Sequence, residues 1–184
     1  ALLSPAVIGI FVAVTALTRF FALFTDVGLG AALVQKKEDL NEADLRTVFT
    51  IQEGLVLTIV FVGLFFSQNI AQFFNLSVSE LWLFRVLIIT LFISSLKTIP
   101  AILLERKLAF GKLVIPQILE LLVFNILVVF LAYRDFGVVA YTWATLLAAL
   151  SSLPLYYLLS PWKIGLGFDW QRGKRLISFG LAYQ

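Results

Sequence analysis

The chain is 184 residues long, 61% hydrophobic and only 14% charged, with a net charge of +3 and a mean hydropathy of +1.00; soluble domains are about half apolar and a quarter charged, so this composition belongs in a membrane. The absence of Cys and His excludes disulfides, thiolate catalysis, His-ligated metals and a Ser-His-Asp arrangement, and neither a metal nor a cofactor is expected. The cations are divided among separate short gaps and form no continuous basic face, which argues against nucleic acid as a partner.

Crossing a hydrocarbon core of roughly 30 Å takes about 20 helical residues, and five stretches reach that length. The first, from about 6 to 34, opens after Ser4-Pro5, a cap and first helical position; it is too long for one straight crossing, so tilt or a bend near Gly28 and Gly30 is expected. The second, about 42–66, is introduced by Asn41 and an acidic first turn of Glu42 and Asp44. A gap without Lys or Arg, 67–80, ends in Ser77 and Glu80, spaced as a capping box for the third span, about 81–104. The fourth runs from about 113 to 132 and the fifth from about 138 to 159, joined by the tight link Tyr133 to Gly137. A further helix starts at 176–184. With no Met and an apolar run cut short at Gln184, the chain reads as an internal piece of a longer protein: a partial, all-α transmembrane bundle over residues 1–184.

Ten of the fourteen Lys and Arg residues lie in alternate connectors. Connector 35–46 holds Lys36, Lys37 and Arg46; 105–112 holds Arg106, Lys107 and Lys112; 160–175 holds Lys163, Arg172, Lys174 and Arg175. The intervening connectors hold none and one, so the positive-inside rule places the basic set in the cytoplasm and requires an odd number of helices before Ala1. Trp82, Trp162 and Tyr133 near span ends fit an interfacial aromatic belt.

Six ionisable residues remain inside the spans: Arg19, Asp26, Glu53, Arg85, Lys97 and Glu120. Each costs at least about 2.5 to 3.5 kcal/mol at a helix centre when unpaired, so each should face a partner or a polar cavity. Arg19 lies about 20 Å along the first span, on one stripe with Thr15, Ala22, Asp26 and Gly30. Lys97, Glu120 and Glu53 come out at similar depth, roughly 10 Å from the basic side, so Lys97 pairs with Glu120 or Glu53. Arg85 is shallow enough to snorkel outward. Pro100 frees the carbonyl of Leu96 and should bend the third span beside this polar patch; Pro154 does the same to the fifth at Leu150.

Four segments in order carry a family resemblance: Leu3-Ser4-Pro5; Phe24-Thr25-Asp26-Val27-Gly28-Leu29-Gly30-Ala31-Ala32-Leu33-Val34-Gln35-Lys36-Lys37; Pro100 through Phe110, with Leu104-Glu105-Arg106-Lys107 at its centre; and Leu159-Ser160-Pro161-Trp162-Lys163 through Phe179-Gly180. In these the chain resembles the lipid-linked polysaccharide and O-antigen flippases of the multidrug, oligosaccharidyl-lipid and polysaccharide exporter superfamily. The resemblance covers essentially the whole chain and departs at Gly111, where the family usually has a basic residue.

The resemblance implies a non-enzymatic transporter of about twelve to fourteen helices in two pseudo-symmetric lobes, of which this is part of one lobe lacking the first helix. It implies the bacterial inner membrane and, as cargo, an undecaprenyl-pyrophosphate-linked oligosaccharide for polysaccharide or lipopolysaccharide export. Arg19, Lys97 and Arg85 are then the candidate cavity cations, since Arg and Lys hold phosphate through charge-assisted hydrogen bonds. Asp26, Glu53 and Glu120 are candidate ion-pair or coupling acids for H+ or Na+. Two alternatives stay open on the residues alone: a cation-coupled drug antiporter of the same superfamily, because three buried cations face three buried acids, and a membrane oligosaccharide polymerase or ligase, which would need a large outer loop.

Overall fold

The computed structural model describes residues 4–23, 29–35, 40–171 and 173–174, and their regular structure is entirely helical. Among the described residues there are eight helices: α1 (Pro5–Ala22), α2 (Leu29–Gln35), α3 (Glu42–Phe65), α4 (Ser67–Phe73), α5 (Val78–Ser95), α6 (Thr98–Arg106), α7 (Phe110–Tyr133) and α8 (Val138–Leu159). Five of them, α1, α3, α5, α7 and α8, are long and apolar enough to cross a membrane.

The helix starts are set by local hydrogen bonds. Ser4 accepts from the Val7 N–H at 3.4 Å with Pro5 as the first helical residue. Asn41 and Asp44 cap each other reciprocally, at 2.8 and 3.3 Å, and the Ser77 N–H donates to Glu80 at 2.9 Å; each bond satisfies a backbone donor that the first helical turn leaves open.

Of the first span α1 and α2 are described, while the stretch between them, which contains Asp26 and Gly28 and the expected bend, lies outside the described residues. Two other stretches differ from their sequence reading. The gap 67–80 contains α4, whose Ala71 is buried and whose Ile70 packs on the α1–α5–α8 cluster, so this connector has an apolar face of its own. The third span is broken into α5 and α6 at Leu96-Lys97, four residues ahead of Pro100, where the ring removes the N–H that Leu96 would otherwise receive. Pro154, by contrast, sits within an unbroken α8.

The element α5 is central, packing against α1, α3, α4 and α8. At one end of the bundle Val14, Phe84, Leu87, Ile88 and Tyr141 form an apolar cluster, with the Phe11 and Tyr141 rings stacked at 4.1 Å. At the other end, where the basic connectors lie, Leu33, Val48, Phe49, Ile99 and Trp162 form a second. Chain order along α3, α5–α6, α7 and α8 puts the polar residues Glu53, Ser95, Lys97, Glu120 and Ser152 between the two clusters. Gly63 lets α3 approach α5, since a Cβ there would meet Ile88 at 3.2 Å.

The outer surface is apolar: Phe61, Phe65, Leu121, Ile126 and Phe130 are among its exposed side chains, and only Pro116 and Ala132 of α7 are buried. Such a face is stable against acyl chains and costly in water.

Candidate functional site

The break between α5 and α6 brings Lys97 to the middle of the polar layer. Its Nζ donates to Glu120 Oε2 on α7 at 2.9 Å and to Ser152 Oγ on α8 at 2.9 Å, while Ser152 donates to the same Glu120 oxygen at 2.7 Å. Lys97 is only 7% exposed, and an acid and a hydroxyl stand where water would otherwise solvate its Nζ. An ammonium has three N–H donors; Glu120 and Ser152 occupy two, leaving one for a guest.

That guest has room. A cleft of about 650 Å³ opens beside the pair, lined among others by Gln35, Lys97, Thr98, Glu105, Glu120 and Tyr156. A smaller cleft of about 310 Å³, lined by Gln117, Phe124 and Thr145, also reaches Glu120. Glu120 is therefore a wall shared by two cavities, and its side chain keeps 35% of its surface open.

Glu53 does not join Lys97. It is 5% exposed, accepts one hydrogen bond from Ser95 at 3.0 Å, and its other oxygen has no partner among the described residues. Its neighbour Gln52 bridges to Thr98 at 3.0 Å, and Tyr157 donates to the Leu96 carbonyl at 2.8 Å. These three contacts tie α3 to both sides of the α5–α6 break and α8 to the break itself.

The other expected cations stand elsewhere. Arg19 is on an exposed face of α1 and is not among the residues lining either cleft. Arg85 lies toward the opposite end, donating to the buried Ser67 at 3.0 Å with its guanidinium 5.6 Å from the centre of the Trp82 ring; it lines neither of the two clefts. Asp26 lies outside the described residues. Trp82 and Tyr133 are exposed as an aromatic belt requires, but Trp162 is not: it is 7% exposed and packs edge-on against Phe49 at 5.1 Å. Preceded by Pro161, it turns back into the core.

The residues absent from the sequence reading are small or neutral: Ser152, Ser95, Gln52 and Tyr157. Ser152 had one readable signal, a Ser-Ser pair two residues ahead of Pro154 in an otherwise apolar span. Arg106 has a structural task, donating to the carbonyls of Leu33 at 2.7 Å and Val34 at 3.4 Å, where a cation complements the α2 C-terminus.

A family model described as polysaccharide biosynthesis protein matches residues 1–183. No curated protein matches the chain, and no solved structure does.

Proposed function

The chain belongs to the polysaccharide biosynthesis protein family and is a multi-pass membrane protein; from that premise we propose that it forms part of a flippase moving a pyrophosphate-linked oligosaccharide on an undecaprenyl carrier across the bacterial inner membrane, with connectors 35–46, 105–112 and 160–175 in the cytoplasm. The observation that carries the reading is the Lys97–Glu120–Ser152 cluster at the wall of the larger cleft. An ammonium with a donor to spare beside a cavity can donate to a phosphate oxygen, and Glu120, which borders both clefts, is the group the anion displaces. The lipid tail remains in the bilayer.

Arg19 on α1 and Arg85 near the opposite end supply further cations along the route, Arg85 being released from Ser67 to do so. With the cytoplasm negative, carrying one negative charge outward gains about 2.3 kcal/mol per 100 mV. Asp26, Glu53 and Glu120 are the acids through which H+ or Na+ would couple, and Glu53, buried with one unpartnered oxygen, is the first to test.

The test uses the full-length protein in vesicles with a labelled polyprenyl-pyrophosphate oligosaccharide. Arg19→Ala, and the paired change Lys97→Gln with Glu120→Gln, which strands no buried charge, should abolish translocation while membrane insertion stays normal. Wild-type rates from both would overturn the proposal.

A further inference from the structure

Beyond α8 the chain runs through residues 161–169 without regular structure and lies against the first turns of α3. The Gly167 N–H donates to Thr50 Oγ1 at 3.0 Å and the Asp169 N–H to Thr47 Oγ1 at 3.3 Å. Gly165 and Gly167 face the Arg46 side chain so closely that a Cβ would meet it at 3.0 and 3.2 Å. One set of alternate residues, Gly165, Gly167 and Asp169, is thus turned to the helix.

The other set points away. Ile164, Leu166, Phe168 and Trp170 are 56, 74, 60 and 69% exposed; the first three follow the spacing of two that an extended chain gives to one face, and Trp170 continues the apolar run at the start of the helical turn that follows. Two glycines hold the backbone against α3, so every large side chain is on the free side.

What covers this face can be read from its position and its charges. The strap is fastened to Arg46, Thr47 and Thr50, within roughly three turns of the start of a membrane span and so close to the lipid–water boundary. Lys163 is exposed at its beginning and Lys174 just after it. The basic connector 105–112 repeats the composition, with exposed Leu108 and Phe110 beside Lys107 and Lys112. Protein interfaces deplete Lys at their cores, whereas a headgroup layer accepts both kinds of group, phosphates outside for the ammoniums and acyl chains below for Leu, Phe and Trp.

We propose that the extended strap 164–169, together with Trp170 at the helical turn that ends it, inserts Ile164, Leu166, Phe168 and Trp170 into the headgroup and upper acyl region of the leaflet on the basic side, drawn there by anionic lipid. Its role is anchoring: it fixes the level of the α3 end in the bilayer. The proposal does not depend on what is transported.

The chain contains no Cys, so each introduced Cys is the one labelling site within it, and any Cys elsewhere in the full-length protein is replaced by Ser. Leu166→Cys, Phe168→Cys and Trp170→Cys in the full-length protein, spin-labelled in vesicles containing phosphatidylglycerol, are compared with Phe61→Cys on the apolar face of α3 and Asp135→Cys in the opposite connector. The strap labels should be reached by oxygen more readily than Asp135→Cys and by a water-soluble nickel chelate less readily, and in purely zwitterionic vesicles they should shift toward the aqueous value. High nickel access in both lipids would mean a solvated loop and overturn the proposal. Exclusion of both reagents would mean that protein covers the strap, and would overturn it equally. An unchanged depth without phosphatidylglycerol would remove anionic lipid as the ligand.

Discussion

The hydroxyl of Tyr157 on α8 is bonded at 2.8 Å to the carbonyl of Leu96, the one carbonyl that Pro100 leaves without its helical donor. The break in the third span is therefore closed from outside by a neighbouring helix. Tyr157→Phe should cost about 1 to 3 kcal/mol, the penalty of a buried acceptor left open. In a Pro100→Ala background, where residue 100 regains its N–H, the same change should cost much less. Thermal unfolding in detergent for the four-member cycle measures the coupling; additive losses would show that the hydroxyl does not serve this carbonyl.

Removing Glu120 strands Lys97, which is 7% exposed, whereas removing Lys97 leaves Glu120 with 35% of its side chain open to solvation. Glu120→Leu alone should destabilise by about 3 to 5 kcal/mol and Lys97→Met by less, and the double change should recover most of the larger loss. The readout is the Tm of the purified protein, and additive losses, the double variant losing the sum of the two singles, would mean the pair carries no energy.

Among the described residues Glu53 has a serine partner and no cation. Glu53→Gln keeps an acceptor for Ser95 and buries no charge, so it should leave the Tm equal or higher, whereas Glu53→Ala opens a cavity and should lower it, by roughly 1 to 3 kcal/mol. A large loss from Glu53→Gln would reveal a cation that the acid must hold.

At the opposite end Gly63 leaves no space for a side chain beside Ile88. Gly63→Val should cost about 1 to 3 kcal/mol by overpacking, and Ile88→Ala in the same chain should relieve part of it. Circular dichroism melts of the four proteins test this directly.

The caps at Ser4, Asn41 and Ser77 were legible in sequence because the bonds that form them span three residues. Fold class was legible because lipid admits few alternatives to closed helices for chains this apolar. Lys97 could be placed at the depth of an acid by counting rise along the helices, but the choice of Glu120 over Glu53 depends on how α3 and α7 are rotated about their axes, which no local pattern carries. The proline effects divide for a similar reason: at Pro100 the chain breaks where Tyr157 can replace the lost donor, whereas α8 continues through Pro154. Trp162 was misplaced because proximity to a span end says nothing about which way a side chain turns after a proline. The strap was hidden because its apolar residues alternate with glycine in a stretch whose cations mark it as a connector.

The bond from Arg106 to the Leu33 carbonyl has a mechanical corollary. Arg106 ends α6 and Leu33 lies in the last turn of α2, while the other end of α6 begins at the Leu96-Lys97 discontinuity. A tilt of α6 about that discontinuity must either drag α2 along or sever the bond, so the two short helices behave as a single rocker arm whose pivot lies beside the Lys97 ammonium.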